Sequence, residues 1–152
     1  MKKTITAALV GIGALLSSVT AYAASSDKEV YVVMFRADWC GPCKIVEPNL
    51  DQALSGLGDS SIEYVTIDIT TPSLSEESAH RAFDRNIVPQ YNGWMGVTGF
   101  AAVIDADTKQ TLGCINMMYD APAMMMHIRN LKTYAVSNQP IQDVLCPAPN
   151  NL

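Results

Sequence analysis

Histidine is scarce in this chain: there are two, His80 and His127. A single CxxC occurs, and no second CxxC or HxxxH completes a four-ligand zinc set, so no metal site is expected. No flavin or nicotinamide motif appears, so no cofactor is expected and nothing in the chain supplies electrons itself. Repeats and low-complexity segments are absent. Basic residues are also few, 10 against 15 acidic ones. That balance argues against nucleic acid or an anionic membrane surface as a partner.

What is present begins with a leader. Lys2 and Lys3 precede an uncharged, apolar stretch from Ile5 to Val19, and Ala21-Tyr22-Ala23 fits the small-x-small cleavage rule. We expect residues 1–23 to be a cleavable signal peptide, since the apolar stretch is short for a span. The short basic start reads as bacterial, which points to the periplasm. Cleavage leaves eight basic residues against fifteen acidic ones, a net charge of −7. The remaining chain, about 129 residues, is enough for one domain with one core, and a monomer is expected.

Four cysteines remain, Cys40, Cys43, Cys114 and Cys146. Cys40 and Cys43 sit where Val30-Tyr31-Val32-Val33-Met34-Phe35 ends and a helical pattern begins with Ile45, Val46, Leu50 and Ala53. Cys40 would then lie at a strand-to-helix corner, with Cys43 one turn into the helix. That spacing allows a disulfide, and the helix N-terminus favours the thiolate of Cys40. Pro42 suits the first helical turn. If these two form the active pair, Cys114 and Cys146 are left over. They could form a structural bridge tying the tail, residues 137–152, to the body, or stay as two buried thiols; four cysteines allow three pairings.

The rest of the chain alternates. A strand is expected over about Glu29–Ala37, a helix to Leu57, and a strand over Ile62–Ile69. A second helix opens at Ser73, with Glu76 completing a capping box, and runs to about Asn86. Ile87–Gly99 reads as irregular. Phe100–Ile104 and Thr111–Met117 form a hairpin around Asp105–Lys109, and a last helix follows Ala121-Pro122. The fold class is α/β, in the order β-α-β-α-β-β-α, with the domain over 24–136.

Phe35-Arg36-Ala37-Asp38-Trp39-Cys40-Gly41-Pro42-Cys43-Lys44 resembles the active-site segment of thioredoxins, and Pro48 matches the family's helix-kinking proline. The resemblance is specific over residues 30–70 and approximate beyond. It implies a minimal thioredoxin-like fold: a four-stranded mixed sheet with helices on both faces. Only a few residues separate Ala23 from the first strand, so the strand–helix unit that family members carry before the motif is expected to be missing.

The resemblance implies a thiol–disulfide oxidoreductase, more as a reductase, acting on protein thiols and disulfides and fed by a membrane electron donor. Cys40 would be the exposed nucleophile and Cys43 the resolving thiol, with Trp39, Gly41 and Pro42 as neighbours. Two departures stand out. The family's buried acid is replaced by Met34, and the Lys that approaches it by Tyr64; Asp38 reads as a surface residue. The cis-proline position falls on Thr98, whose hydroxyl could bond the Cys40 thiolate; Pro89 is the other candidate, about ten residues before the strand. Tyr91, Trp94 and Met95 could form a wall that grips a partner, or pack as a loop core.

An alternative function is Cu(I) handling. Met117, Met118, Met124, Met125, Met126 and His127 crowd together, and thioethers with thiolates suit that ion. Against it, Met124 falls on a helix's buried stripe. His80 reads as solvated.

Overall fold

The computed structural model describes residues 27–137 and 146–150. The expected leader, 1–23, lies outside the described residues, as do 138–145 and 151–152 of the tail.

The strand before the motif is β1 (Val30–Arg36), buried from Val30 to Phe35. Such a run, rich in β-branched residues and apolar on both sides, belongs at the centre of a sheet covered on two faces. It pairs in parallel with β2 (Ile62–Asp68) and antiparallel with β3 (Phe100–Asp105). β3 in turn pairs antiparallel with β4 (Thr111–Asn116), giving the order β2-β1-β3-β4. The helices are α1 (Cys43–Leu57), α2 (Pro72–Asp84), α3 (Val88–Gly93) and α4 (Ala121–Ser137).

Alternation along β1 divides the core in two. Val30, Val32 and Met34 face α1 and α4, meeting Val46, Leu50, Met124 and Ile128. Tyr31, Val33 and Phe35 face the other way, toward Ala82 of α2, Tyr91 of α3 and Trp94. Each fully buried aliphatic side chain contributes about 1.5–3 kcal/mol, so these two layers hold the sheet and helices together. The register sets Phe35 opposite Ile67 and Phe100, and Phe100 opposite Asn116. The C-terminal end of β1, the start of β3 and the end of β4 therefore share one end of the sheet. This is the expected thioredoxin-like core, a four-stranded mixed sheet with helices on both faces.

Two local expectations change. The stretch after α2 is not wholly irregular, because Pro89 starts the short helix α3. Its missing N–H and preset φ cost nothing in a first turn. The cap of α2 is Thr71, not Ser73: the Thr71 hydroxyl accepts the Leu74 N–H at 3.3 Å, and Pro72 occupies the first turn. The helix ends with Asn86 at φ 56° and the Ile87 N–H bonded to the Ala82 carbonyl at 2.9 Å. A residue in the left-handed region, here Asn, commonly closes a helix this way.

Candidate functional site

The corner between β1 and α1 is built from backbone outward. The Cys40 N–H donates to the Ala37 carbonyl at 3.0 Å, turning the chain out of the sheet. Pro42 is the helix cap residue, with φ −59°, and its side chain offers no cap hydrogen bond. The acceptor at the helix start is sulfur: the Cys43 N–H donates to Cys40 Sγ at 3.1 Å. Helix N-terminal N–H groups lack partners within the helix, so an acceptor placed there is stabilised, and a thiolate more than a thiol.

Cys40 and Cys43 are joined in a disulfide, with their Cα atoms 5.4 Å apart. Cys43 Sγ lies 3.9 Å from the Phe35 carbonyl oxygen. In the dithiol state that carbonyl is an acceptor for the Cys43 S–H. The two sulfurs thus differ in surroundings: Cys40 faces a donor and Cys43 an acceptor. Contrary to expectation, Cys40 is only 4 % exposed, while Trp39 beside it is 64 % exposed. Gly41 is open, with nothing near the position of an added Cβ.

The covering comes from Gly99, not Thr98. A Cβ on Gly99 would sit 2.8 Å from Pro42 Cβ and 3.5 Å from Cys40 Sγ, and Gly99 has φ 92°. Only glycine fits both the close approach and that backbone. The Gly99 N–H is bonded to the Phe35 carbonyl at 2.9 Å, which locks the segment onto β1. Among the described residues no peptide bond is cis, so neither Thr98 nor Pro89 adopts the cis form. Pro89 is instead spent on starting α3.

Tyr91 and Trp94 do not form a wall; they are buried, and only Met95 is well exposed. The Tyr91 hydroxyl bonds to Ser75. Trp94 meets Phe35 and Phe100 edge-on, at 5.5 and 5.3 Å between ring centroids, while those two rings stack at 4.9 Å. This trio lies in the core layer on the other face of the sheet from the cysteines. Aromatic spacing alone does not reveal it, because its members come from β1, β3 and the loop after α3.

Met34 is fully buried in the same core layer as both cysteines. Asp38 and Glu47 are occupied by Arg36, at 2.6 and 2.5 Å, and Asp68 binds the same guanidinium. These pairs, Asp38 first, push the Arg36 pKa up against the opposing effect of burial. Burial raises the Asp68 pKa, but hydrogen bonds from Thr70 and then Arg36 outweigh it and hold it below the usual carboxylate range. Tyr64, where the family has lysine, is 39 % exposed.

The methionines divide between core and surface. Met124 is fully buried, Met125 reaches Gly56, and Met117, Met118 and Met126 are exposed. His127 stacks on Tyr119; His80 is exposed.

The other two cysteines are bridged as well. Cys114, at the middle of β4 opposite Ala102, is joined to Cys146. The residues that follow cross α3: the Trp94 indole N–H donates to the Pro147 carbonyl at 2.9 Å, the Asn150 N–H to the Gly93 carbonyl at 2.6 Å, and the Asn150 amide to the Met95 carbonyl at 2.7 Å.

Comparison with known proteins places this geometry. The thioredoxin family model matches residues 18–89, just under half of the chain. A thioredoxin from Coprinus comatus is 33% identical over 55 residues, 36% of this chain and 52% of its own length. Thioredoxin H8 of Arabidopsis thaliana is 42% identical over 41 residues, 27% of this chain and 26% of its own. The chain thus spans about half or less of the length of these curated relatives. Among solved structures, a thioredoxin family thiol:disulfide interchange protein from Chlorobium tepidum TLS superposes with a TM-score of 0.47 at 20% identity, covering 70% of this chain and 81% of that one. Chloroplastic thioredoxin z gives 0.45 at 22% identity, with 70% and 80% covered. The β2-β1-β3-β4 sheet with helices on both faces is a thioredoxin-like fold, and the segment that carries the Cys40–Cys43 disulfide lies within the stretch similar to thioredoxins, residues 18–89.

Proposed function

We propose that this protein is an exported thiol–disulfide oxidoreductase that acts as a reductase of protein disulfides. The observation that carries the reading is the Cys43 N–H on Cys40 Sγ at the start of α1. It stabilises a Cys40 thiolate, and the thiolate is the attacking species.

The cycle starts from the dithiol. The Cys40 thiolate attacks one sulfur of a substrate disulfide, and the other substrate sulfur leaves as a thiolate that takes a proton. Cys43 then loses its proton, attacks Cys40 Sγ and expels the second substrate thiolate. Substrate gains two electrons and two protons, and the Cys40–Cys43 disulfide forms. Gly99 adds no side chain of its own over Cys40, and the exposed Trp39 offers an apolar surface beside it. With Met34 in place of an acid, and with Asp38 and Glu47 held by Arg36, the Cys43 proton passes to water or to the departing thiolate.

A fresh dithiol must regenerate the pair. In an oxidising compartment such as the periplasm, a membrane protein passing electrons outward meets that need. The Lys2-Lys3 start, the apolar stretch and Ala21-Tyr22-Ala23 support export. Gly41-Pro42, the dipeptide of reducing thioredoxins, supports the direction.

Trapping tests the reading. A Cys43→Ala variant expressed in a periplasm should accumulate mixed disulfides on Cys40, and Cys40→Ser should abolish reduction of insulin. A Cys43→Ala protein that captures nothing, beside a wild type that reduces nothing, would overturn it.

A further inference from the structure

We propose that the Cys114–Cys146 bridge is a dithiol-operated latch, which holds residues 146–150 as a strap across α3 and thereby positions the segment that presents Gly99 to Cys40. Only the effect on Cys40 rests on the oxidoreductase reading; the latch itself does not.

The mechanical path is continuous. From Cys146 the strap reaches Trp94 through Pro147, then Gly93 and Met95 through Asn150. Pro149 Cβ lies 3.5 Å from an added Cβ on Gly93, an ordinary packing contact. Trp94 seats on Phe35 and Phe100, and the Val97 N–H bonds to the Trp94 carbonyl at 2.9 Å. Two residues on is Gly99, where an added Cβ would lie 3.5 Å from the Cys40 sulfur. Trp94 and Asn150 are thus positioning residues, acting on the cysteine pair through the Trp94–Gly99 segment. Among the described residues, three hydrogen bonds hold the strap besides the bridge and the packing of Pro149, too few to keep it ordered once its anchor is cut.

The anchor is reachable from one side. Cys114 is fully buried, whereas Cys146 is partly exposed and lines a cavity of 410 Å³ with Pro89, Trp94 and Leu112. A small dithiol attacks the Cys146 sulfur through that opening. A mixed disulfide forms on Cys146, and Cys114 leaves as a thiolate that takes up a proton. The reagent's second thiol then closes its own disulfide and frees Cys146 as a thiol. Two electrons and two protons pass to the protein.

Hydrogen exchange read by mass spectrometry on the full chain tests this. In a Cys114→Ala/Cys146→Ala variant, exchange over 93–99 should speed up roughly tenfold or more, while α1 amides keep their protection. The equilibrium constant of Cys40–Cys43 against glutathione should shift about threefold or more, because the groups around the sulfur relax. Trp94→Phe keeps an aromatic ring but loses the indole N–H and some bulk, and Asn150→Ala loses the Met95 bond. With the bridge intact, both should move the two readouts in the same direction by less, which covers the case of a double variant that does not fold. Unchanged exchange over 93–99 in these variants, or a general loss of protection that includes α1 in all of them, overturns the latch. Accelerated exchange at 93–99 in these variants, beside a wild type that reduces no disulfide, supports the latch and counts against the oxidoreductase reading alone.

Discussion

Gly99 shows how one missing side chain shapes the site. Its φ of 92° is a region L residues rarely adopt, and an added methyl would meet Pro42 at 2.8 Å. Gly99→Ala should cost about 1–3 kcal/mol in urea unfolding, from backbone strain and from the clash. It should also slow insulin reduction more than the stability loss accounts for, since the displaced atoms are those next to Cys40 Sγ. A Gly99→Ala protein with wild-type turnover would show that this close approach is incidental to exchange. Met34 works in the opposite sense. It fills space that an acid would occupy, which firms the core at the expense of an internal base.

At the scale of elements, α4 is fastened by charge as well as by packing. Lys132 reaches Asp59 at 2.5 Å and Glu29 at 2.7 Å, joining the last helix to the loop after α1 and to the entry of β1. The Lys132 ammonium and the Ser61 groups hold the Asp59 carboxyl at about 2, against an ordinary 3.8. Glu29 is lowered for the same reasons, Lys132 first. A depressed carboxyl stabilises the fold above its ordinary pKa and loses that contribution as pH falls through the folded value. Acid should therefore loosen α4 between about pH 4 and pH 2. Asp59→Asn should lower stability at neutral pH and flatten the pH dependence over that window. Equal slopes for variant and wild type in denaturant titrations at several pH values would rule out this pairing as a source of acid sensitivity. High salt should weaken the fastening, because these groups are partly exposed.

For the whole molecule, the Cys114–Cys146 bridge closes the largest covalent loop among the described residues, with a separation of 32. Loop entropy assigns such a link about 3–4 kcal/mol. Reduction of this bridge should lower the urea midpoint by a corresponding amount, and a Cys40→Ser/Cys43→Ser background isolates it from the catalytic pair. A midpoint indifferent to dithiol in that background would mean the tail is held by packing alone.

The sequence by itself determined the sheet, the flanking helices and the β1–α1 corner. Those depend on local periodicity and on what a CxxC can do at a helix start, which neighbouring residues encode. The placement of β1 at the centre followed from its unbroken apolar run. Tertiary structure alone decided three matters. Gly99, not Thr98, lies against Cys40, because the choice depends on how a loop sixty residues away meets Pro42. Tyr91 and Trp94 turn inward, because α3 forms on Pro89, the stacked Phe35 and Phe100 rings receive Trp94, and the Ser75 carbonyl accepts the Tyr91 hydroxyl. Cys114 is joined to Cys146, a pairing the sequence offered beside two buried thiols, because the fold brings residue 146 within bonding distance of β4.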